Sequence, residues 1–254
     1  MTIQELFKQA KRPLLNIYFT AGFPELNSMP VLLETLSVSG VDMVEIGIPY
    51  SDPLSDGTVI QNSNSIALKN GIALSMIFRQ LKKSPTSIPK IMMGYFNTVL
   101  QYGMEHFCRK CYETGVSGVI LPDLPINIWL NQYKSIFEEY GLSNIFLITP
   151  ETTDERIRFI DRYSTSFIYA VSSSGTTGRI HGIRDCEDYL KRINGLSLNH
   201  PVMVGFNIRN ADDFYFACKY THGGIIGSAF IKHIKNSKDI ISDTKQFVSL
   251  IKKK

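Results

Sequence analysis

Glu45 lies inside an apolar, β-branched run, Val41–Ile46. Asp56 lies in the turn-rich segment that follows it, and the whole stretch reads Val-Glu-Ile-Gly-Ile-Pro-Tyr-Ser-Asp-Pro-Leu-Ser-Asp-Gly. A parallel strand buried on both faces is a continuous apolar run, so an ionisable side chain near its carboxyl end needs a reason. Backbone donors above an ordinary turn would account for one carboxylate alone. A pair, one rooted on a strand and one on the following loop, is suited to divide acid/base work between a dry and a wetter environment. In a βα barrel that end of the strand faces the active site, and the next loop supplies further site residues.

A second kind of chemistry is written near the end of the chain. Phe206-Asn207-Ile208 follows one apolar run, and Ile226-Gly227-Ser228-Ala229-Phe230 follows the next. Asn210, with Asp213 after it, reads as a helix N-cap with an acidic partner, which puts a helix start directly behind the first of these loops. Unpaired N–H groups at a helix start attract an anion, and glycine lets backbone approach it closely. Ser228 adds a hydroxyl. Ser172 to Gly178, a Ser/Gly/Thr segment that includes Thr177, supplies a third donor-rich loop. A Gly-Ser after a strand is common in turns, but three such loops together predict a phosphate ester substrate. Tyr18, Tyr95, Tyr169 and Phe206 fall near strand ends, where they would flank a flat apolar group beside the phosphate.

These residues need a scaffold that brings strand ends together. The apolar runs are Leu14–Thr20, Val41–Ile46, Ile88–Tyr95, Val116–Leu121, Asn144–Ile148, Ser166–Val171, Pro201–Phe206 and Gly223–Ile226. Between them stand helical patterns, among them Met29–Ser39, Met104–Glu113, Trp129–Tyr140, Asp154–Tyr163, Arg184–Ile193 and Ala211–Lys219. Eight such units without remainder predict an α/β fold, a single-domain (β/α)8 TIM barrel over residues 1–254. The reading adds an N-terminal helix within Met1–Gln9 and long loops after the second strand (from Pro49) and the sixth (Ser172 to Ile183), places where function concentrates.

The chain has 254 residues, against the roughly 250 typical of this barrel. Its hydrophobic content of 44%, charged content of 20% and net charge of +4 suit a soluble enzyme rather than a nucleic-acid binder. Part of the positive charge sits in Lys252, Lys253 and Lys254, a solvated helix end. No signal-peptide core or membrane-length apolar run is present in the sequence, so a cytoplasmic location without a membrane partner is expected. Cys108 and Cys111 form a Cys-x-x-Cys inside a helical pattern, and Cys186 and Cys218 are distant from them. No metal site is expected from that spacing.

Val44 to Gly57, Gly94-Tyr95-Phe96-Asn97, Pro122-Asp123-Leu124-Pro125, Tyr169 to Gly178 and Gly227-Ser228-Ala229 together resemble the tryptophan synthase α subunit, in order and over nearly the whole chain. The resemblance implies a (β/α)8 lyase that cleaves indole-3-glycerol phosphate to indole and glyceraldehyde 3-phosphate. It also implies an α2β2 complex in which indole passes to a PLP-dependent β subunit, with no cofactor in this chain. By the same resemblance Glu45 is the general acid/base, and Asp56 stabilises positive charge on the indole nitrogen. Tyr169 lies beside the catalytic carboxylate; Gly178, Gly227 and Ser228 hold the phosphate; Tyr18, Met93, Ile120 and Phe206 line the indole pocket.

Three positions depart from the family pattern. Asn207 replaces a glycine that donates its N–H to the phosphate, Ser173 replaces an arginine in the loop after the sixth strand, and Thr58 replaces a proline after Asp56-Gly57. Asn tolerates a left-handed backbone better than other side chains, but it adds bulk beside the ligand. Glu45, Asp56 and Thr177 are retained. The departures raise an alternative expectation: a catalytically weakened α subunit acting mainly as an allosteric activator of β.

Overall fold

The computed structural model describes residues 1–54, 56–172 and 182–253. Its strands are β1 (Leu14–Thr20), β2 (Met43–Gly47), β3 (Lys90–Met93), β4 (Val116–Ile120), β5 (Ser143–Asn144), β6 (Leu147–Ile148), β7 (Ile168–Val171), β8 (Val202–Gly205) and β9 (Gly223–Ile226). They pair in parallel in the order β5-β4-β3-β2-β1-β9-β8-β7-β6. The two ends of that order are one stretch of chain. Only Ile145 and Phe146 separate β5 from β6; Ile145 N–H donates to Val119 O at 2.9 Å, and Phe146 O accepts from Tyr169 N–H at 2.9 Å. The sheet therefore closes on itself as a TIM barrel with eight strand positions, the fifth broken in its middle.

Side-chain alternation sets the layers. Leu14, Met43, Ile91, Ile120, Ile145 and Met203 point inward and fill the barrel. Leu15, Ile17, Val44, Ile46, Met92 and Val119 point outward and bury against the helices. Ile3 and Leu6, from a helix over Ile3–Gln9 with a Thr2–Glu5 capping box, join the interior cluster and plug the amino-terminal end. Gly118 permits this: a β-carbon there would lie 2.9 Å from Ile3 Cδ1. Continuing the inward alternation up β1 and β2 brings Asn16, Tyr18 and Glu45 above this plug. The fold places the buried carboxylate inside the barrel.

Several helices follow the sequence reading closely, such as Met104–Glu113 and Asp154–Tyr163. The former buries Cys108 and Cys111, and burial pushes the Cys108 thiol up to about 12, far from a reactive thiolate. Trp129–Tyr140 is not one regular helix: a turn at Ile126–Ile128 leads into a π-helical segment, Trp129–Tyr133, before Lys134–Glu139. The connection after β2 is shorter as a loop than expected, because helices occupy Thr58–Lys69 and Leu74–Lys83. The polar composition of the first of these, with Asn, Gln and Ser in its middle, hid its helical period. Most of the predicted loop after β7 lies outside the described residues. Among the described residues, no helix is long and apolar enough to cross a membrane.

Candidate active site

Glu45 is 1% exposed and sits directly opposite Tyr18 in the β1–β2 register. One described hydrogen bond reaches it, from Asn16 Nδ2 to Oε2 at 3.3 Å. Asn16 is itself fully buried, and its Oδ1 has no hydrogen-bond partner. Burial pushes the Glu45 carboxyl up to about 8; the Asn16 donor opposes this, and the nearby charge of Asp56 adds to it. At neutral pH Glu45 therefore stands mostly protonated, an acid held in a dry place.

Asp56 lies in the loop just before the helix Thr58–Lys69, whose N-cap is Gly57. That helix fixes the loop: Gln61 Nε2 donates to Asp56 O at 2.8 Å, and Asn64 Nδ2 donates to Asp56 Oδ2 at 3.3 Å. Partial burial moves the Asp56 carboxyl up to about 6, with the Asn64 bond acting the other way. Asp56 is the wetter member, anionic at neutral pH near the positive end of a helix dipole. One protonated and one ionised carboxyl at the same site is the arrangement that acid/base chemistry at pH 7 requires.

Two tyrosines complete the interior. Burial first, then the charge of Asp56, pushes the Tyr18 hydroxyl upward; for Tyr169 burial is followed by the charges of Glu45, Tyr18 and Asp56. The four groups thus lie within electrostatic reach of one another, and both phenols stay neutral. Strand glycines make room for them: a β-carbon at Gly47 would lie 2.6 Å from Tyr18 Cζ, and one at Gly205 would lie 2.6 Å from Tyr169 Cζ. Tyr18, Asp56, Asn64, Met93, Tyr95 and Pro122 line a pocket of about 10 Å³. That is about the room of one water. Tyr95 stacks on Tyr50 at 4.8 Å between ring centroids.

At the ends of β8 and β9 the backbone is unusual. Phe206 and Asn207 take φ of 70° and 58°, consecutive left-handed residues that are not glycine. Such strain concentrates where a loop must present its backbone in a particular way. Asn207 turns its amide aside, Nδ2 donating to Ser172 Oγ at 3.4 Å, while Ser172 Oγ–H donates to Phe206 O at 2.8 Å. The bulk expected beside the ligand is therefore directed toward the base of the loop after β7. Ser228 opens the helix Ser228–Ile234 behind Gly227, and Gly227 is close to Tyr18, with space for a β-carbon only 3.2 Å from Tyr18 Cδ1. The N-cap after β8 is partly as expected. Asn210 Oδ1 accepts from Asp213 N at 2.9 Å, but the Asp213 carboxylate accepts from Arg209 N at 3.0 Å and not from the cap residue.

Of the residues singled out in the sequence, Tyr18, Tyr95, Asp56 and Met93 share one pocket, and Glu45 and Tyr169 lie buried within electrostatic reach of Asp56. Phe206 packs on Tyr169 with centroids 6.4 Å apart. Ile120 pairs with Met93 in register and is fully buried in the interior cluster. Thr177, Gly178 and Ser173 lie outside the described residues. The sequence reading missed Asn16 and Asn64, the side chains that hold the two carboxylates. Asn64 carried a signal, since it follows Asp56 closely on what proves to be the next helix; Asn16 needed the β1–β2 register. Among the described residues, no group of three or more His, Cys, Asp or Glu is placed to hold a metal ion.

The family model described as tryptophan synthase alpha chain matches residues 4–253. The tryptophan synthase alpha chain of Christiangramia forsetii is 51% identical over 247 residues, covering 96% of each chain. Among solved structures, Mycobacterium tuberculosis tryptophan synthase superposes with a TM-score of 0.88 at 28% identity, covering 98% of this chain and 96% of that one. The tryptophan synthase subunit alpha of Legionella pneumophila gives 0.87 at 30% identity, covering 99% and 97%. At such identity over the whole barrel, the alternative of a weakened subunit serving mainly as an activator is not favoured. The chain belongs to the tryptophan synthase alpha chain family, carbon–carbon lyases that cleave indole-3-glycerol phosphate, carry no cofactor of their own and work with a PLP-dependent β subunit in an α2β2 complex.

Proposed function

We propose that Glu45 and Asp56 divide the retro-aldol cleavage of indole-3-glycerol phosphate between them within a single-domain, cytoplasmic barrel. The observation that carries this is the opposed setting of two carboxyls at one site, Glu45 buried and protonated, Asp56 partly solvated and ionised. The Glu45 carboxyl gives its proton to indole C3. The cation that forms is held by the Asp56 carboxylate at the ring N–H. Glu45, now a carboxylate, takes the proton of the side-chain hydroxyl as the bond to C3 breaks. The bonding pair returns to the ring, an aldehyde forms on the glycerol phosphate fragment, and Glu45 ends protonated as it began. Tyr169 flanks Glu45, and Tyr18, Met93, Ile120 and Phe206 supply the apolar surroundings of the ring. Gly227, Ser228 and the Asn207 backbone, with Thr177 and Gly178, hold the phosphate.

The test is indole release from indole-3-glycerol phosphate by the purified chain, with and without a matched β subunit. Turnover that rises when β is added and is lost in Glu45→Gln supports the reading. Wild-type turnover in that variant, with its fold confirmed by circular dichroism, would remove Glu45 from the chemistry.

A further inference from the structure

At the end of the barrel opposite the carboxylates, a pocket of about 480 Å³ opens between the loop that precedes β3 and the turn that precedes β4. Thr86, Ser87, Ile88, Lys90, Gly115 and Ser117 line it. Lys90 begins β3, on the outward face shared with Met92, and is only 4% exposed. Its ammonium lies over the Gly115 backbone, where a β-carbon would stand 3.4 Å from Nζ. Among the described residues Lys90 has neither a carboxylate partner nor a hydrogen bond. Thr86 Oγ1, in the same pocket, is buried and has no partner either.

We propose that this pocket is a second anion site, built on Lys90 and Thr86 and taking a small oxyanion of the phosphate class. Lys90 is largely buried with its ammonium unpaired among the described residues, an arrangement that favours an anionic partner at the pocket. The neighbouring helix end does not pair with it directly. At the end of Met104–Glu113 the carbonyls of Lys110 and Cys111 accept from Thr114 N–H, and that of Tyr112 accepts from Gly115 N–H. Among the described residues that helix end offers Lys90 its dipole and no hydrogen bond. The lining, which Met1 also joins, offers the Lys90 ammonium and three hydroxyls and no carboxylate among the described residues, a donor-rich set that suits an oxyanion. The volume falls in the range of ligand pockets, roughly 300–1,000 Å³, so an organic substituent on the phosphate would also fit. Burial holds the Lys90 pKa below its ordinary value, which a bound anion would restore.

The experiment is equilibrium dialysis of the full chain against radiolabelled inorganic phosphate at constant ionic strength, for the parent protein, Lys90→Met and Thr86→Val. Lys90→Met replaces a largely buried lysine with an apolar chain of similar length and should keep the fold, as circular dichroism will report. The parent should bind one phosphate per chain more than Lys90→Met. Thr86→Val should weaken that extra class by about tenfold, the loss of one hydrogen bond to a charged group. Phosphate held at the catalytic end is common to all three proteins, so its absence would count against the lyase site and leave this difference readable. Equal stoichiometry in the parent and Lys90→Met overturns the proposal. An extra phosphate displaced by equimolar chloride is an adventitious ion only, and overturns it equally.

Discussion

Replacing Glu45 by Gln should inactivate the protein and stabilise it, with the gain appearing only as the pH rises. The carboxyl titrates near 8 in the folded chain against an ordinary value of 4.5. Between those values the native state holds a proton that the unfolded state has released, so wild-type stability falls as the pH climbs through the window and is flat above it. The interval from 4.5 to about 8 corresponds to up to about 5 kcal/mol, at about 1.4 kcal/mol for each tenfold change in proton concentration. Gln is nearly isosteric with the protonated acid and has no charge to desolvate. The two proteins should therefore melt close together at pH 5, whereas at pH 9 the variant should melt higher. At about 2 °C per kcal/mol for a chain of this size, the separation approaches about 10 °C. Lyase turnover should fall by about 10²–10⁴ at the same time, as is usual when a general acid/base is removed. Calorimetric melting of both proteins at pH 5, 7 and 9, paired with indole release, reads both effects. Parallel pH dependences would mean that Glu45 titrates as an ordinary surface carboxyl, and the picture of a buried acid would fail.

The pH profile of kcat/KM should be bell-shaped, with limbs near 6, where Asp56 must be ionised, and near 8, where Glu45 must be protonated. Asn16→Leu removes the donor that favours the ionised form of Glu45, so the upper limb should move to higher pH while the lower one stays; an unmoved upper limb would show that Asn16 does not act on Glu45. In Gly205→Ala the new β-carbon would press on Tyr169 Cζ from 2.6 Å. Displacing that ring should cost about 1–3 kcal/mol in urea unfolding and lower lyase turnover, and normal activity would indicate that Tyr169 does not have to stay where it is. Asn207→Gly relieves a left-handed residue but severs the bond to Ser172. Glycerol phosphate affinity by calorimetry should change less than threefold, because the amide is already drawn toward Ser172; a much tighter complex would show that Asn207 obstructs the anion after all.

The chemistry of this chain was more legible in sequence than the means by which it is positioned, and the difference follows the range of the interactions involved. Glu45 announces itself because a charge inside a β-branched run is a local anomaly, and Asp56 because it ends a turn-rich segment next to that run. The alternation that closes the barrel is likewise local, unit by unit, and needs no knowledge of which strand meets which. Asn16 does need it. An Asn on β1 becomes the partner of Glu45 only through the pairing of Asn16 with Met43 and of Tyr18 with Glu45, a register that no short window contains. The fifth strand shows the same limit, since Asn144–Ile148 is apolar enough for one strand but breaks at Ile145 and Phe146 to hold β4 and β7 at once. The left-handed Phe206 lay against local preference, as backbone strain at a functional loop does by nature. Lys90 belongs to this group too. Within its apolar run it reads as one charge among hydrophobic neighbours, and only the outward alternation of β3 and the turn at Gly115 show its side chain largely buried with, among the described residues, no partner for its ammonium. Where local preference and three-dimensional placement disagree, at Glu45, Phe206 and Lys90 alike, the folded chain carries an energetic cost of the kind that proteins tolerate at functional sites.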